Sequence, residues 1–309
     1  MCEELHTPVL VDEAVSYLRL KENGFYLDGT VGLGGHTIAI LKAMEGKINV
    51  LAVDQDQKSL KIASERINKE GFKECVYFVN GRFSDFPIFM KRLGWEKLDG
   101  ALLDLGISSF QLSDEEKGLS FLQDSPLDMR LSPSMAPVSA KDIVNSYEYK
   151  KIKDIIKKFG EDPFAPKIAK AIVEYRKNKA IETTKELAHI VEQAYPLRFR
   201  KSARNHPATR TFQALRIFVN RELEELENFL RQIPFYLNPS GRVVIISFHS
   251  LEDRLVKRYF RYFEKGDERL NQRGLKFVVL TKKPLTPQKQ EVDNNIRSRS
   301  AKMRVAEVI

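Results

Sequence analysis

Glycines and carboxylates near the N-terminus have the types and spacing of a cofactor site. Residues 26–37 read Tyr-Leu-Asp-Gly-Thr-Val-Gly-Leu-Gly-Gly-His-Thr, so Asp28 directly precedes a run that contains Gly32, Gly34 and Gly35. A strand that passes through glycines into a helix presents converging backbone N–H groups, and no Cβ obstructs a ligand there. We predict a cofactor at this turn. The alternative is that the glycines serve only a tight turn and the acids only cap helices.

The acids around the glycines favour one class of cofactor. The dinucleotide fingerprint would need a third glycine at Thr37, and Asp28 would repel a pyrophosphate but attract an ammonium group. Asp54 ends the next apolar strand, twenty residues after Gly34, where an acid commonly binds ribose hydroxyls. An acid for an amine and an acid for a ribose predict S-adenosylmethionine rather than a nicotinamide nucleotide.

A third acid, Asp104, follows a later apolar segment in the sequence Asp-Leu-Gly-Ile-Ser-Ser. An exocyclic amine of cytosine or adenine is a poor nucleophile, and an acceptor for one of its N–H bonds helps it to attack a methyl group held in line. Methylation of a pyrimidine carbon would instead require a cysteine nucleophile, and neither Cys2 nor Cys75 follows such a strand. We predict a nitrogen target, with Asp104 contacting the cofactor or the amine. The alternative is that Asp104 only caps a turn at the end of its strand.

Histidines are few and do not predict a metal site. His36 could donate to the cofactor or lie at a helix start without a role. His206 and His249 lack a further ligand at metal spacing. We therefore predict no metal, and expect His206 with Arg204 and Arg210 to face substrate phosphates.

The charge distribution favours a polyanionic partner. The chain has 51 Lys and Arg against 42 Asp and Glu, a net charge of +9. No acid lies between Glu192 and Glu222. The clustering of the basic residues favours a nucleic-acid-binding surface over basic residues that only face solvent. The first cluster consists of Arg198, Arg200, Lys201, Arg204, Arg210, Arg216 and Arg221, and the second of Arg297, Arg299, Lys302 and Arg304.

Length and composition exclude several classes of protein. The chain has 309 residues, 42% of them hydrophobic, which is enough for more than one lobe. No apolar run approaches the roughly 18 residues that span a bilayer, and residues 1–8 are polar. The two cysteines predict neither a disulfide framework nor a zinc site. We expect a cytoplasmic protein without a membrane partner.

The hydrophobic pattern predicts an α/β fold. Apolar strands at 25–28, 48–53 and 75–79 alternate with helices, and a fourth strand ends at Asp104. Further strands at 242–248, 276–281 and 303–308 give a seven-stranded, mostly parallel, doubly wound sheet. Ligands bind at the carboxyl ends of such strands. We therefore expect Asp28, Asp54, residues 81–83 and residues 104–111 to share one rim.

The middle of the chain has a different character. Residues 112–206 are rich in helix formers, including 140–159, 164–178 and 184–194, and contain no convincing strand. We predict a helical domain for RNA recognition, inserted between the two parts of the sheet domain, residues 1–111 and 207–309. A single amphipathic helix over 209–230 is expected to pack on the sheet.

Long motifs throughout the chain resemble the bacterial small-subunit ribosomal RNA cytosine-N4 methyltransferases, the MraW family. The resemblance implies a class I S-adenosylmethionine-dependent fold that acts on a decoding-centre cytidine. It also implies cofactor contacts from Gly34, Gly35, His36, Asp54, Phe83, Asp104 and Gln111. The motifs are His6-Thr-Pro-Val-Leu, residues 28–36, 104–112, 121–130 and 206–216, Ile246-Ser-Phe-His-Ser-Leu-Glu-Asp-Arg and residues 297–304.

The sequence therefore predicts an S-adenosylmethionine-dependent enzyme that methylates cytosine N4 in small-subunit ribosomal RNA, either as free RNA or within the assembled subunit. Two alternatives stay open: an amino-methyltransferase for DNA or adenine, and a noncatalytic RNA-binding or assembly factor. A nicotinamide enzyme is a more distant third. The pattern is compatible with a monomer or a homodimer.

Overall fold

The chain forms two compact units. A computed structural model describes residues 8–202 and 206–309, without the side chains of residues 201 and 202. The sheet unit comprises Met1–Gly106 and Leu223–Ile309, and the helical unit comprises Ile107–Glu222. The sequence analysis places the corresponding boundaries after residues 111 and 206.

The secondary structure alternates in the sheet unit and is helical between its two parts. The first part contains α1 (Val11–Leu18), β1 (Phe25–Asp28), α2 (Gly35–Ala43), β2 (Asn49–Asp54), α3 (Gln57–Lys69), β3 (Val76–Asn80), α4 (Phe86–Arg92) and β4 (Leu98–Asp104). The helical unit contains α5 (Ser109–Ser113), α6 (Ala140–Ser146), α7 (Tyr149–Gly160), α8 (Ala165–Tyr175), α9 (Thr184–Ala194), α10 (Leu197–Ser202) and α11 (Ala208–Val219). The last part contains α12 (Glu222–Gln232), β5 (Leu237–Ser247), α13 (Ser250–Glu264), α14 (Glu268–Asn271), β6 (Phe277–Val279), α15 (Lys289–Asn294) and β7 (Lys302–Val308).

The predicted α/β fold is confirmed. Within the described residues the sheet has seven strands in the order β3-β2-β1-β4-β5-β7-β6. The first five strands are parallel, and β7 runs antiparallel to β5 and β6. Asp28 lies opposite Ala52 on β2 and Leu102 on β4, so Asp54 and Asp104 each lie two residues further along their strands. The register therefore brings three acids to one edge.

Apolar side chains cover both faces of the sheet. One face forms a core that includes Phe86, Leu103 and Phe229, while Tyr26 and Leu41 belong to the core of the other face. A parallel strand between two helical layers must be apolar on both sides, which explains the uninterrupted apolar runs in the sequence. This packing fixes the strand ends that carry the acids.

The expected single helix over 209–230 is wrong. The chain leaves the helical conformation at Asn220 and Arg221, where Arg221 has a φ of +55°. The Asn220 amide donates to the Met129 carbonyl and accepts from the Leu131 N–H, which anchors the end of α11 within the helical unit. The α11 side chains Phe212 and Leu215 belong to the helical core rather than to the sheet cores. This packing accounts for the boundary after residue 222.

The helix expected over 140–159 is also two helices. Ser139 caps α6 by accepting from the Asp142 N–H, and Tyr147 ends it with extended backbone at ψ 149°. Glu148 is also extended, with ψ 152°, before α7 starts at Tyr149. The apolar stripes of both helices nevertheless face one core through Ile143, Ile152 and Ile156, which is why the pattern looks continuous.

Replacing Leu215 with Ala tests the assignment of α11. Leu215 is fully buried, so the substitution should lower the free energy of unfolding of the helical unit by about 2–5 kcal/mol. Urea denaturation would measure the loss, and amide hydrogen exchange should lose protection in α7 and α11. Thr209→Ala, at an exposed position of the same helix, is the matched control. Loss of protection confined to the strands would contradict the assignment.

Candidate functional site

The glycine turn between β1 and α2 has the backbone that its sequence predicts. Gly32 and Gly34 have φ values of +51° and +83°, which L-residues with side chains rarely adopt. Gly34 caps α2, and its carbonyl accepts the Ile38 N–H. A Cβ on Gly29 would lie 2.4 Å from the Leu103 side chain. The turn therefore holds the backbone close to both neighbouring strands.

Asp28 organises this turn from inside. Its side chain is only 1% exposed, and it accepts from the Thr37 hydroxyl at 2.6 Å and from the Thr30 N–H at 3.2 Å. Burial raises its pKa to about 6, although both hydrogen bonds oppose that shift. Asp28 thus joins the two ends of the glycine turn and adds negative potential beneath it.

The Asp54 carboxyl group accepts a backbone N–H on each of its two oxygens. Oδ2 accepts from the Gly32 N–H and Oδ1 accepts from the Asp56 N–H, each at 2.8 Å. Burial raises the pKa of Asp54 to about 7. Each carboxylate oxygen has a second lone pair, so Asp54 can accept hydroxyl hydrogens without losing its structural bonds. This is the capacity that ribose binding requires.

Asp104 differs from the other two acids because its side chain is poorly satisfied. Its backbone N–H donates to the Thr30 hydroxyl at 2.7 Å, whereas its buried Oδ1 has no hydrogen-bond partner among the described residues. Burial raises its pKa well above the usual value, and the carboxylates of Asp28 and Glu252 raise it further. A buried acceptor without a donor is costly unless a ligand supplies one.

His36 lies beside Asp104 at the start of α2. The imidazole is 5% exposed, with Nδ1 3.6 Å from Asp104 Oδ2 and Nε2 3.0 Å from the Val9 carbonyl oxygen. Pro8 packs on the same turn, since a Cβ on Gly35 would lie 2.8 Å from its ring. The segment before α1 therefore covers the N-terminus of α2.

The remaining predicted cofactor residues lie in both units. Phe83 is partly buried after β3 and makes an edge contact with Phe229, with ring centroids 5.8 Å apart. Gln111 belongs to the helical unit, where it is buried and forms a capping box with Ser108 at the start of α5. Phe83 offers an aromatic surface at the rim, and the contacts of Gln111 fix a loop.

The rim is suited to a cation. Within the described part of the chain, no Lys or Arg forms an ion pair with Asp28, Asp54 or Asp104. Three buried carboxyl groups that no described Lys or Arg neutralises favour a positively charged ligand. Gly32 leaves space for a ligand, since a Cβ there would lie 3.9 Å from its nearest neighbour, the Thr30 carbonyl oxygen, and Asp104 Oδ1 offers a hydrogen-bond acceptor. These residues fit a cofactor with a sulfonium and an ammonium group.

Some of the predicted RNA-binding residues of the helical unit are exposed, and others donate hydrogen bonds to backbone carbonyls. Arg198 is exposed above the Phe199 ring, whereas Arg200 donates to the carbonyls of Gln193 and Tyr195. Arg210 donates to the Glu161 carbonyl at 3.0 Å. His206 is exposed and its ring lies 4.7 Å from that of Phe121. Arg204 and the Lys201 side chain lie outside the described residues.

The second basic cluster is smaller than its sequence suggests. Arg297 and Arg299 are exposed on either side of the buried Ser298. Arg304 is only 5% exposed and donates to Asp253 at 2.6 Å, because its strand β7 lies inside the sheet. Arg304 therefore does not belong to the exposed cluster, which the sequence alone could not distinguish.

Three contributors to the site were not predicted. Thr30 accepts from the Asp104 N–H, Thr37 donates to Asp28, and the Val9 carbonyl faces His36. The two threonines lie within the glycine motif, so their hydroxyls could have been assigned to the neighbouring acids. A backbone carbonyl has no sequence signal.

Comparisons with known proteins agree with the geometry. Residues 3–309 match the profile of a family described as the MraW methylase family. A Ribosomal RNA small subunit methyltransferase H from Lawsonia intracellularis is 47% identical over 99% of both chains. The protein of the same name from Solidesulfovibrio magneticus is 48% identical over 99% of this chain and 96% of its own, and that from Kosmotoga olearia is 46% identical over 99% and 98%.

No helix of the described residues is long and apolar enough to cross a membrane. The protein has a class I methyltransferase fold: its sheet is mostly parallel, a glycine turn follows β1, and acids end β1, β2 and β4. Because the family match extends over nearly the whole sequence, the chain belongs to the MraW methylase family and is a methyltransferase that uses S-adenosylmethionine.

Proposed function

We propose that this methyltransferase modifies the N4 amine of a cytidine in the decoding region of small-subunit ribosomal RNA. The observation that carries the proposal is the buried Oδ1 of Asp104, which ends β4 without a hydrogen-bond partner in the described structure. The names of the relatives support a small-subunit ribosomal RNA substrate. The cytidine and its amine rest on the motif resemblance and on the chemistry of Asp104.

Asp104 would activate the amine by accepting one of its N–H bonds. The lone pair of an exocyclic amine is delocalised into the ring, and an acceptor on one N–H favours the pyramidal nitrogen that can attack. The cofactor supplies the methyl group. Cys75 does not support carbon methylation, because its thiol donates to the Gly46 carbonyl at 3.0 Å, remote from the strand ends.

The other rim residues would bind the cofactor. Asp54 would accept the ribose hydroxyls through its free lone pairs, while Asp28 would attract the cationic end from beneath the glycines. The open backbone of residues 32–36 would lie against the amino-acid portion, and Phe83 would contact the adenine. The motif resemblance also implies a cofactor contact from Gln111.

RNA would bind through the exposed basic side chains. Arg297 and Arg299 form one group, and Arg198 with its neighbouring aromatic ring is suited to an unpaired base or a phosphate. The target cytidine would leave its stack, since its N4 cannot meet a buried oxygen while it is paired. Further candidates are Arg200, Lys201, Arg204, His206 and Arg210.

The first test identifies the product. Labelled methyl from S-adenosylmethionine should be transferred to small subunits that lack the modification, and mass spectrometry of digested nucleosides should find N4-methylcytidine. Free ribosomal RNA and DNA serve as parallel substrates. A methylated adenine or a carbon-methylated cytosine would contradict the proposed target atom. Binding without transfer, with a working methyltransferase control, would instead indicate a binding factor.

Matched acid variants separate cofactor binding from chemistry. Asp54→Ala should weaken S-adenosylmethionine binding by about tenfold or more, because it removes charge-assisted hydrogen bonds. Asp104→Ala should lower the single-turnover rate by about a hundredfold at saturating cofactor. Calorimetry and labelled transfer would measure the two effects, with the exposed acid variant Asp12→Ala as control. Unchanged cofactor affinity in Asp54→Ala would contradict the ribose assignment.

Salt dependence tests the basic residues near the C-terminus. Arg297→Ala combined with Arg299→Ala should weaken RNA binding and reduce the slope of log affinity against log salt by about two, as expected for two lost phosphate contacts. Lys69→Ala combined with Arg92→Ala removes the same charge from exposed positions on α3 and α4. Equal slopes for the two double variants would show that only net charge matters.

A further inference from the structure

His36 faces a backbone carbonyl on one side and a carboxyl group on the other. Its Nε2 lies 3.0 Å from the Val9 carbonyl oxygen, and that oxygen can only accept a hydrogen bond. Nε2 must therefore carry the hydrogen. In the neutral ring Nδ1 then has a lone pair, and this atom lies 3.6 Å from Asp104 Oδ2.

The segment that carries Val9 is fixed at several points. Pro8 packs against Gly35, and Val9 and Leu10 are each only 1% exposed. The Leu10 N–H donates to the Glu291 carboxylate on α15 at 2.9 Å. The carbonyl that selects the His36 tautomer is therefore held in place by the fold.

Asp104 has one oxygen toward His36 and one without a hydrogen-bond partner among the described residues. The titratable groups of the described structure that face it are His36 on α2, Asp28 on β1 and Glu252 on α13. The two carboxylates favour a proton on Asp104. A proton on Oδ1 would remove the acceptor proposed for the target amine, whereas a proton on Oδ2 would leave it intact.

We propose that His36 is a positioning residue that keeps the Asp104 proton on Oδ2, so that Oδ1 always faces the target amine as an acceptor. The inference rests on the proposed amine methylation. When Asp104 is neutral, its Oδ2–H is directed at the lone pair of Nδ1, and it donates once the 3.6 Å separation shortens to hydrogen-bond distance. When the proton moves to His36, Nδ1–H donates to the carboxylate. In both states, and when the pair has lost its proton, Oδ1 accepts the amine N–H.

Methyl transfer to the amine then balances as follows. The nitrogen lone pair forms the N–C bond while the S–C bond breaks and its electrons stay on sulfur. The methylated nitrogen loses one proton, and the electrons of that N–H bond return to nitrogen. The His36 and Asp104 pair accepts this proton through Oδ1. The deprotonated pair takes it directly, and in the singly protonated pair the earlier proton lies on Nδ1 when Oδ1 takes the new one; turnover returns the extra proton to solvent.

Two amide variants of His36 each keep one of the two contacts of the imidazole. The amide of Gln in His36→Gln reaches the position of Nε2 and can still donate to Val9, but it lacks the acceptor toward Asp104. The amide of Asn in His36→Asn occupies the position of Nδ1 and keeps that acceptor. Single-turnover transfer of labelled methyl at saturating cofactor, divided by the wild-type rate at each pH, compares them.

The expected signature is a pH-dependent defect. At about pH 6, His36→Gln should be about tenfold slower than wild type, because a proton can then lie on Oδ1 of Asp104. The ratio should rise toward one as the pH increases and the carboxyl loses its proton. His36→Asn should have the smaller defect at low pH. A defect of His36→Gln that is absent, or equal at every pH, would overturn the proposal.

A spectroscopic test does not depend on activity. In the cofactor-free protein, two-bond proton–nitrogen correlation spectra should show the His36 ring with hydrogen on Nε2 alone when the ring is neutral and on both nitrogens when it is protonated, with His36→Gln identifying the signals. A ring with hydrogen on Nδ1 alone would overturn the proposal. Nucleoside analysis tests the target atom independently. If the product is N4-methylcytidine but the rate ratio of His36→Gln to wild type is the same at every pH, only the role of His36 is rejected. If another amine is methylated and the ratio changes with pH as expected, only the cytidine assignment is rejected.

Discussion

The site depends on the burial of three carboxyl groups at the ends of neighbouring parallel strands. Asp28, Asp54 and Asp104 converge because β1 lies between β2 and β4. Burial raises the pKa of Asp28 to about 6 and that of Asp54 to about 7. Above the ordinary aspartate pKa of 3.8, the folded protein then binds more protons than the unfolded chain, so these groups make it less stable as pH rises toward 7. A cationic cofactor offsets this effect, since it favours the ionised acids.

The glycine turn reduces the cost of this burial. It directs N–H groups at two of the acids, from Thr30 to Asp28 and from Gly32 to Asp54. Hydrogen bonds to a carboxylate stabilise its charged form, which opposes the desolvation that burial imposes. The positive φ values of the turn are therefore part of the electrostatics of the site, because they aim its N–H groups. A bulkier residue at Gly34 would disturb both the backbone conformation of the turn and the direction of its N–H groups.

The sequence predicts most of this arrangement because the relevant signals are local. An apolar run followed by an acid marks each strand end, and the glycines mark the turn. The break at Asn220 was missed because α11 and α12 continue one amphipathic pattern, while the interactions that end α11 come from Met129 and Leu131, about ninety residues away. Burial of Arg304 likewise depends on its partner Asp253, which no periodicity reveals.

Asp54 and Asp104 end similar strands but have different hydrogen-bond surroundings. Each Asp54 oxygen accepts a backbone N–H. The Asp104 N–H donates to the Thr30 hydroxyl, whereas Asp104 Oδ1 accepts no hydrogen bond from any residue that the structure describes. A carboxyl group that accepts a backbone N–H on each oxygen is held rigidly, which suits cofactor binding. A buried acceptor that waits for a donor gains most when a substrate N–H arrives. We therefore propose that the chemistry takes place at Asp104, and that the adjoining His36 determines which oxygen of that acid meets the substrate.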